Sequence, residues 1–285
     1  MSRKSRIFAV AATLVALAGQ GVWAADDGSS APAATSHSGG RSSDASEELQ
    51  EVTVTAQHLK PTWAEHNELV QRSITLVYGI ADVDFYEEYP PHWSVPVCPL
   101  VTGLAREQGV FVFRRVSDIV RSAGAPLGDE ECHPNLFIFV TDHPKELLRT
   151  MERRRFLIFG NATSSRIDQF INKSGPVKVW HNIDHGLFFG PVNVVVDRTH
   201  LHGISEGQLA DYLGMVILTE IKSTVHLGDT QTILKLFDGP PEAAPDGLSD
   251  WDRAFLNILY HPEKSLAVPR SLIGRRIVDE LKSAP

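Results

Sequence analysis

The chain has 285 residues, 42% of them hydrophobic, with two cysteines and a formal charge of -8. That apolar fraction supports a packed core and excludes wholesale disorder. The acidic balance argues against a nucleic-acid partner, whose phosphates need a basic surface. Two cysteines cannot build a disulfide-dense scaffold or a four-cysteine zinc site.

Residues 1–24 read as a secretory signal peptide. Arg3, Lys4 and Arg6 give a basic start, Ile7 to Gly19 an apolar run, and Val22-Trp23-Ala24 a cleavage site. The 13-residue run would span about 20 Å as a helix, short of the roughly 30 Å hydrocarbon core of a bilayer. The expected location is periplasmic or secreted, with no transmembrane segment after cleavage. Removing the signal leaves 24 basic against 35 acidic residues, a charge of -11, which makes an anionic membrane surface a poor partner. Residues 25–48 contain no Val, Leu, Ile, Met or aromatic residue and are expected to form a disordered linker.

Apolar periodicity resumes at Leu49, so residues 49–285 are expected to form a single domain. Glu51 to Gln57 alternates β-branched residues and reads as a strand. Helical spacing covers Glu65 to Ile80, and Pro96 and Pro99 make Val95 to Leu104 extended. Ala105 to Ser122 predicts a helix, with Val112, Val116, Ile119 and Val120 on one stripe and Gly124 as its stop. Asn135 to Thr141 is a continuous apolar run, hence a buried strand. Helices are expected over Pro144 to Arg154 and Ser164 to Asn172, and strands over Val177 to His181 and Val192 to Asp197. Glu206 to Lys222 predicts a central helix, followed by helices at Gln231 to Phe237, Ser249 to Tyr260 and Arg270 to Lys282. The order predicts an α+β fold: a small mixed sheet with a mainly helical C-terminal half.

An exported chain meets an oxidising compartment, so Cys98 and Cys132 are expected to form one disulfide. The closed loop of 35 residues, counting both ends, would stabilise the fold by roughly 3–4 kcal/mol. Two motifs suggest chemistry. Gly203-Ile204-Ser205-Glu206-Gly207 matches the G-x-S-x-G of a nucleophile elbow, with Ser205 as the catalytic candidate and His226 or His261 as possible bases. The strand is expected to end at Asp197, too far upstream for a tight elbow. Ser205-x-x-Gln208 also fits a capping box, which is the preferred reading. His181 and His185 are candidate metal ligands at helical spacing, with His200 and His202 in the neighbourhood. On a strand the first two would stand about 13 Å apart and could not share one zinc. Walker, H-E-x-x-H and dinucleotide motifs are absent, so no cofactor is expected.

Two resemblances follow from longer runs. Glu51 to Gln57 (EVTVTAQ) resembles a segment near the mature N-terminus of TonB-dependent outer-membrane receptors. The resemblance implies docking by strand addition through Val52 and Val54, and hence a TonB-system partner. A receptor barrel of about 22 strands at roughly ten residues each does not fit in this chain. Cys98-Pro99-Leu100-Val101-Thr102-Gly103, Cys132-His133-Pro134-Asn135-Leu136 and Val194-Val195-Val196-Asp197-Arg198 resemble uncharacterised exported proteins of Gram-negative bacteria. The C-terminal plan is similar to that of proteins related to zinc metallopeptidases: a central helix (Gln208 to Lys222), Leu236-Phe237-Asp238, then Asp252, Leu256, Leu259 and Tyr260 on a helix. A peptidase would carry zinc-binding histidines on that central helix, and this one has none. The resemblance therefore implies a degenerate scaffold that binds an envelope protein or ligand, with a metal- or serine-dependent hydrolase as the alternative.

Overall fold

A computed structural model describes residues 62–80, 90–153, 157–184, 188–221, 227–261 and 270–283. All lie within the unit His58–Pro285. The signal, the linker and Val52 and Val54 lie outside the described residues, as do His185 and His226. In chain order the elements are α1 (Trp63–Ile80), β1 (Pro99–Thr102), α2 (Arg106–Ala123), β2 (Leu136–Thr141), α3 (Pro144–Arg153), α4 (Ser164–Asn172), β3 (Val177–Asp184), β4 (Phe188–Asp197), α5 (Glu206–Leu218), α6 (Asp250–Tyr260) and α7 (Arg270–Ser283). The fold is α+β, with one four-stranded sheet and helices dominating after β4.

The sheet runs β1-β2-β4-β3. β1, β2 and β4 are parallel, and β3 lies antiparallel against β4 at one edge. Helix α2 supplies the crossover that two parallel neighbours require. β4 is buried on both faces from Val192 to Val196, which is why valine fills four of those five positions. Val192, Val194 and Val196 join the main core, while Val195 joins a second cluster with Leu148, Phe159, Ile171 and Trp180. α2, α5 and α6 therefore serve one face, and α3 and α4 the other.

The expected stripe of α2 is buried: Val112, Val116, Ile119 and Val120 all lie in the main core. Gly124 ends the helix in the left-handed region at φ 84°, its N–H reaching the Arg121 and Val120 carbonyls. A Cβ there would also press on the Tyr260 carbonyl at 3.2 Å. The disulfide Cys98–Cys132 is present with Cα atoms 6.0 Å apart. It lies just before β1 and β2, where Asn135 Oδ1 also accepts from the Cys98 N–H at 2.8 Å.

Two helices differ from expectation. The central helix stops at Leu218 rather than Lys222, and Thr219 is already extended. Gln231 to Phe237 holds only a 3-10 turn, Ile233–Lys235. Its Ile233 N–H donates to Asp252 Oδ2 at 2.8 Å, and the Thr232 hydroxyl donates to Asp252 Oδ1. Those groups are thereby held to α6. The hairpin is also longer than expected, since β3 reaches Asp184 and β4 begins at Phe188. Among the described residues no helix is long and apolar enough to cross a membrane.

Candidate functional site

Ser205 sits at the N-cap of α5 and is exposed. Its Oγ accepts from the Gln208 N–H at 3.2 Å, and its own N–H donates to Gln208 Oε1 at 3.0 Å. Both halves of the capping box are formed, satisfying helix donors that lack internal partners. β4 ends at Asp197, and a 3-10 turn, Arg198–His200, intervenes before Ser205. The strand-to-helix connection is therefore not an elbow. His261 lies at the C-cap of α6, its Nδ1 3.2 Å from the Asn257 carbonyl.

His181 lies on β3, which is extended through Asp184. It pairs with Val192, and its ring stacks on Phe189 with centroids 4.6 Å apart. Nε2 is buried without a hydrogen-bond partner. Burial holds the imidazole down to a pKa of about 4, with the Val216 carbonyl pulling weakly the other way. Among the described residues no group of three or more His, Cys, Asp or Glu could hold a metal ion. His200 is over half exposed and stands 3.5 Å from Asp197 Oδ2.

The end of α5 explains where His181 belongs. A helix leaves its last four carbonyls without internal donors. Here Met215 O accepts from Thr219 Oγ1 at 2.7 Å, Ile217 O from Trp93 Nε1 at 2.8 Å, and Leu218 O from the Tyr260 hydroxyl at 2.7 Å. The His181 ring faces the remaining one, Val216 O. Three side chains thus hydrogen-bond a buried helix end, with the His181 ring beside it. Burial also pushes the Tyr260 hydroxyl far above its usual range, so it stays a donor.

A cleft of about 580 Å³ lies between α2 and α5. Its floor is Asp211 on α5, whose side chain is 3% exposed. Arg115 on α2 grips that carboxylate with Nε at 2.6 Å and a terminal nitrogen at 3.0 Å, and the Leu248 N–H adds a third contact at 2.9 Å. Asp211 keeps Arg115 firmly charged. Val110 and Phe111, 42% and 48% exposed, rim the cleft beside Arg114 and Asp118. Arg114 is exposed and has no ion pair among the described residues. The cleft thus offers apolar surface beside an exposed guanidinium, with Glu107, Asp118 and Asp246 also in its lining. Sequence reading missed it, although Val110 and Phe111 lie off the buried stripe of their helix.

No protein-family model, curated protein or solved structure matches the chain.

Proposed function

We propose that the chain is an exported, non-catalytic binding protein built on a degenerate peptidase-like scaffold, and that it binds through the α2–α5 cleft. One observation carries the binding site: exposed Val110 and Phe111 flank a cleft whose lining includes Arg114. Large apolar side chains grouped at a concave, charged surface are the ordinary mark of a recognition site. Glu107, Asp118 and Asp246 share the lining with Arg114, so the chemistry fits an apolar ligand or peptide that brings a carboxylate to Arg114 and a cationic group to those acids. Three features support the non-catalytic reading. The Ser205 hydroxyl is engaged in a cap, the His181 ring is committed to the end of α5, and α5 carries no histidine. The N-terminal leader pattern and the disulfide support export.

The binding half is tested with anilinonaphthalene sulfonate, an apolar anion. Saturable binding is expected in the wild type and a loss of about tenfold or more in Phe111→Ser and Arg114→Glu. Unchanged binding in both variants refutes the cleft. Stoichiometric zinc in the purified protein, or fluorophosphonate labelling lost in Ser205→Ala, refutes the non-catalytic half and restores the hydrolase.

A further inference from the structure

Charge is distributed unevenly along this chain. Residues 143–183 hold eight Lys or Arg against three Asp or Glu, a local +5, so the rest of the chain sums to -13. Six of the eight cations are described. Lys145, Arg149 and Arg153 lie on α3, Arg166 on α4, Lys173 at its C-cap and Lys178 on β3. Since α3 and α4 pack against the same cluster on one face of the sheet, these cations share one side of the fold.

Among the described residues six cations meet three acids of the segment, with Asp197 of β4 as a fourth acid beside Lys178. Arg149 alone engages two of the three, with Glu152 at 3.0 Å and a closer contact to Asp168. Lys145, Arg153, Arg166 and Lys173 are exposed. Arg166 lies over the Trp180 ring at 5.2 Å. The Lys178 amine donates to the Lys173 carbonyl. Burial, and then repulsion from Lys145 and Lys173, lower its pKa, with Asp197 as the opposing acid. Apolar groups accompany the cations. Leu147, Ile158 and Phe170 are only partly buried on this side. The strand register sets Leu100, 40% exposed, in line with Phe137 and Trp180 on the same sheet face.

We propose that the α3–α4–β3 face docks on the anionic headgroups of a phospholipid bilayer. A field confined to one side selects a planar partner. A flexible polyanion that wrapped the fold would meet the acidic remainder, whereas a bilayer touches only the basic face. Acids on the far side lie beyond the screening length of about 8–10 Å. Each Lys or Arg held near such a surface strengthens binding about fivefold, and the half-buried apolar groups suit the headgroup boundary. Net charge alone, which made an anionic membrane a poor partner, averages over two opposed faces. This inference is separate from the cleft, and it needs export only to bring the protein beside a bilayer.

Vesicle flotation tests it on the purified protein. Binding to mixed phosphatidylcholine–phosphatidylglycerol vesicles is expected to exceed binding to phosphatidylcholine alone and to vanish in high salt. A leader, if retained, would bring Arg3, Lys4 and Arg6 and favour the anionic vesicles by itself, so the comparison of variants decides. The paired reversal Lys145→Glu with Lys173→Glu is expected to weaken binding by well over about 25-fold, the value that loss of the two positive charges alone would give. Arg253→Glu with Arg275→Glu, the same charge change on exposed positions of α6 and α7, is expected to leave it within about twofold. The neutral pair Lys145→Gln with Lys173→Gln should act in the same direction at smaller size, so a folding defect in the reversal pair would not decide the matter. Equal binding to both vesicle types, or an equal loss in the control pair, overturns the proposal. Retention by heparin without binding to vesicles also overturns it, in favour of a soluble polyanion. None of these outcomes depends on where the cell places the protein.

Discussion

Acidification should destabilise this fold through His181. The ring is wedged between Phe189 and the Val216 carbonyl, with Nε2 sealed from water and unpartnered. Protonating it would bury a charge whose second N–H has no acceptor. That is why its folded pKa falls from 6.5 to about 4, while the unfolded chain keeps the ordinary value. Between those limits the unfolded state binds more protons, so stability rises with pH in that window. The full difference is about 3 kcal/mol, reached below about pH 4, with about 2 kcal/mol already lost near pH 5. Above about pH 6.5 the group costs nothing.

The assay is urea unfolding at about pH 7.5 and about pH 5 for the wild type and for His181→Phe. Phenylalanine keeps the stack on Phe189 and cannot titrate. Other groups change protonation in the same interval, notably Asp252, whose burial raises its pKa, so only the difference between the two proteins is read. The wild type should lose about 2 kcal/mol more than the variant on acidification. Equal losses would refute the claim that the buried ring stays neutral, and a larger loss in the variant would reverse its sign.

Two further outcomes follow from the packing. Cys98→Ser with Cys132→Ser should cost roughly 3–4 kcal/mol by urea unfolding without changing circular dichroism at neutral pH, because Asn135 and the Val97–Gly128 backbone bond hold the same strand starts. Arg115→Met should cost about 3 kcal/mol, since it leaves the buried Asp211 carboxylate with the Leu248 N–H as its remaining donor among the described residues. A loss below about 1 kcal/mol would mean that water reaches the Asp211 carboxylate in place of Arg115.

Local features of the fold were legible in the sequence because their causes are local. The α2 stripe follows from helical periodicity, and Gly124 from the left-handed turn that ends the helix. The Ser205–Gln208 box was legible because both partners lie within one turn. Ser249 and Asp252 form a similar box, but the decisive fact about Asp252 is not local. It is wholly buried and also takes the Ile233 N–H and the Thr232 hydroxyl, 19 and 20 residues upstream. That reach turns an expected helix at Gln231 to Phe237 into a single 3-10 turn. The early stop of α5 has the same kind of cause, because its last carbonyls are taken by Trp93 and Tyr260, 124 and 42 residues away.

The candidate surfaces were hidden for a different reason. A motif search looks for reactive residues at fixed spacing, and this chain spends such residues on its architecture. Ser205 begins the central helix, and the His181 ring lies beside its end. What stays open to solvent is chemically plainer: Val110 and Phe111 beside Arg114, and a set of lysines and arginines gathered from α3, α4 and β3. Lys145 and Lys178 are 33 positions apart in a chain whose total charge is negative, so neither spacing nor composition marks them as neighbours. The sheet does so, by placing Lys178 on β3 beside Val195 of β4 and packing α3 and α4 over that same face. A net charge of -8 is therefore compatible with opposite preferences on two sides of one fold, and the distribution rather than the sum decides which partner each side can accept.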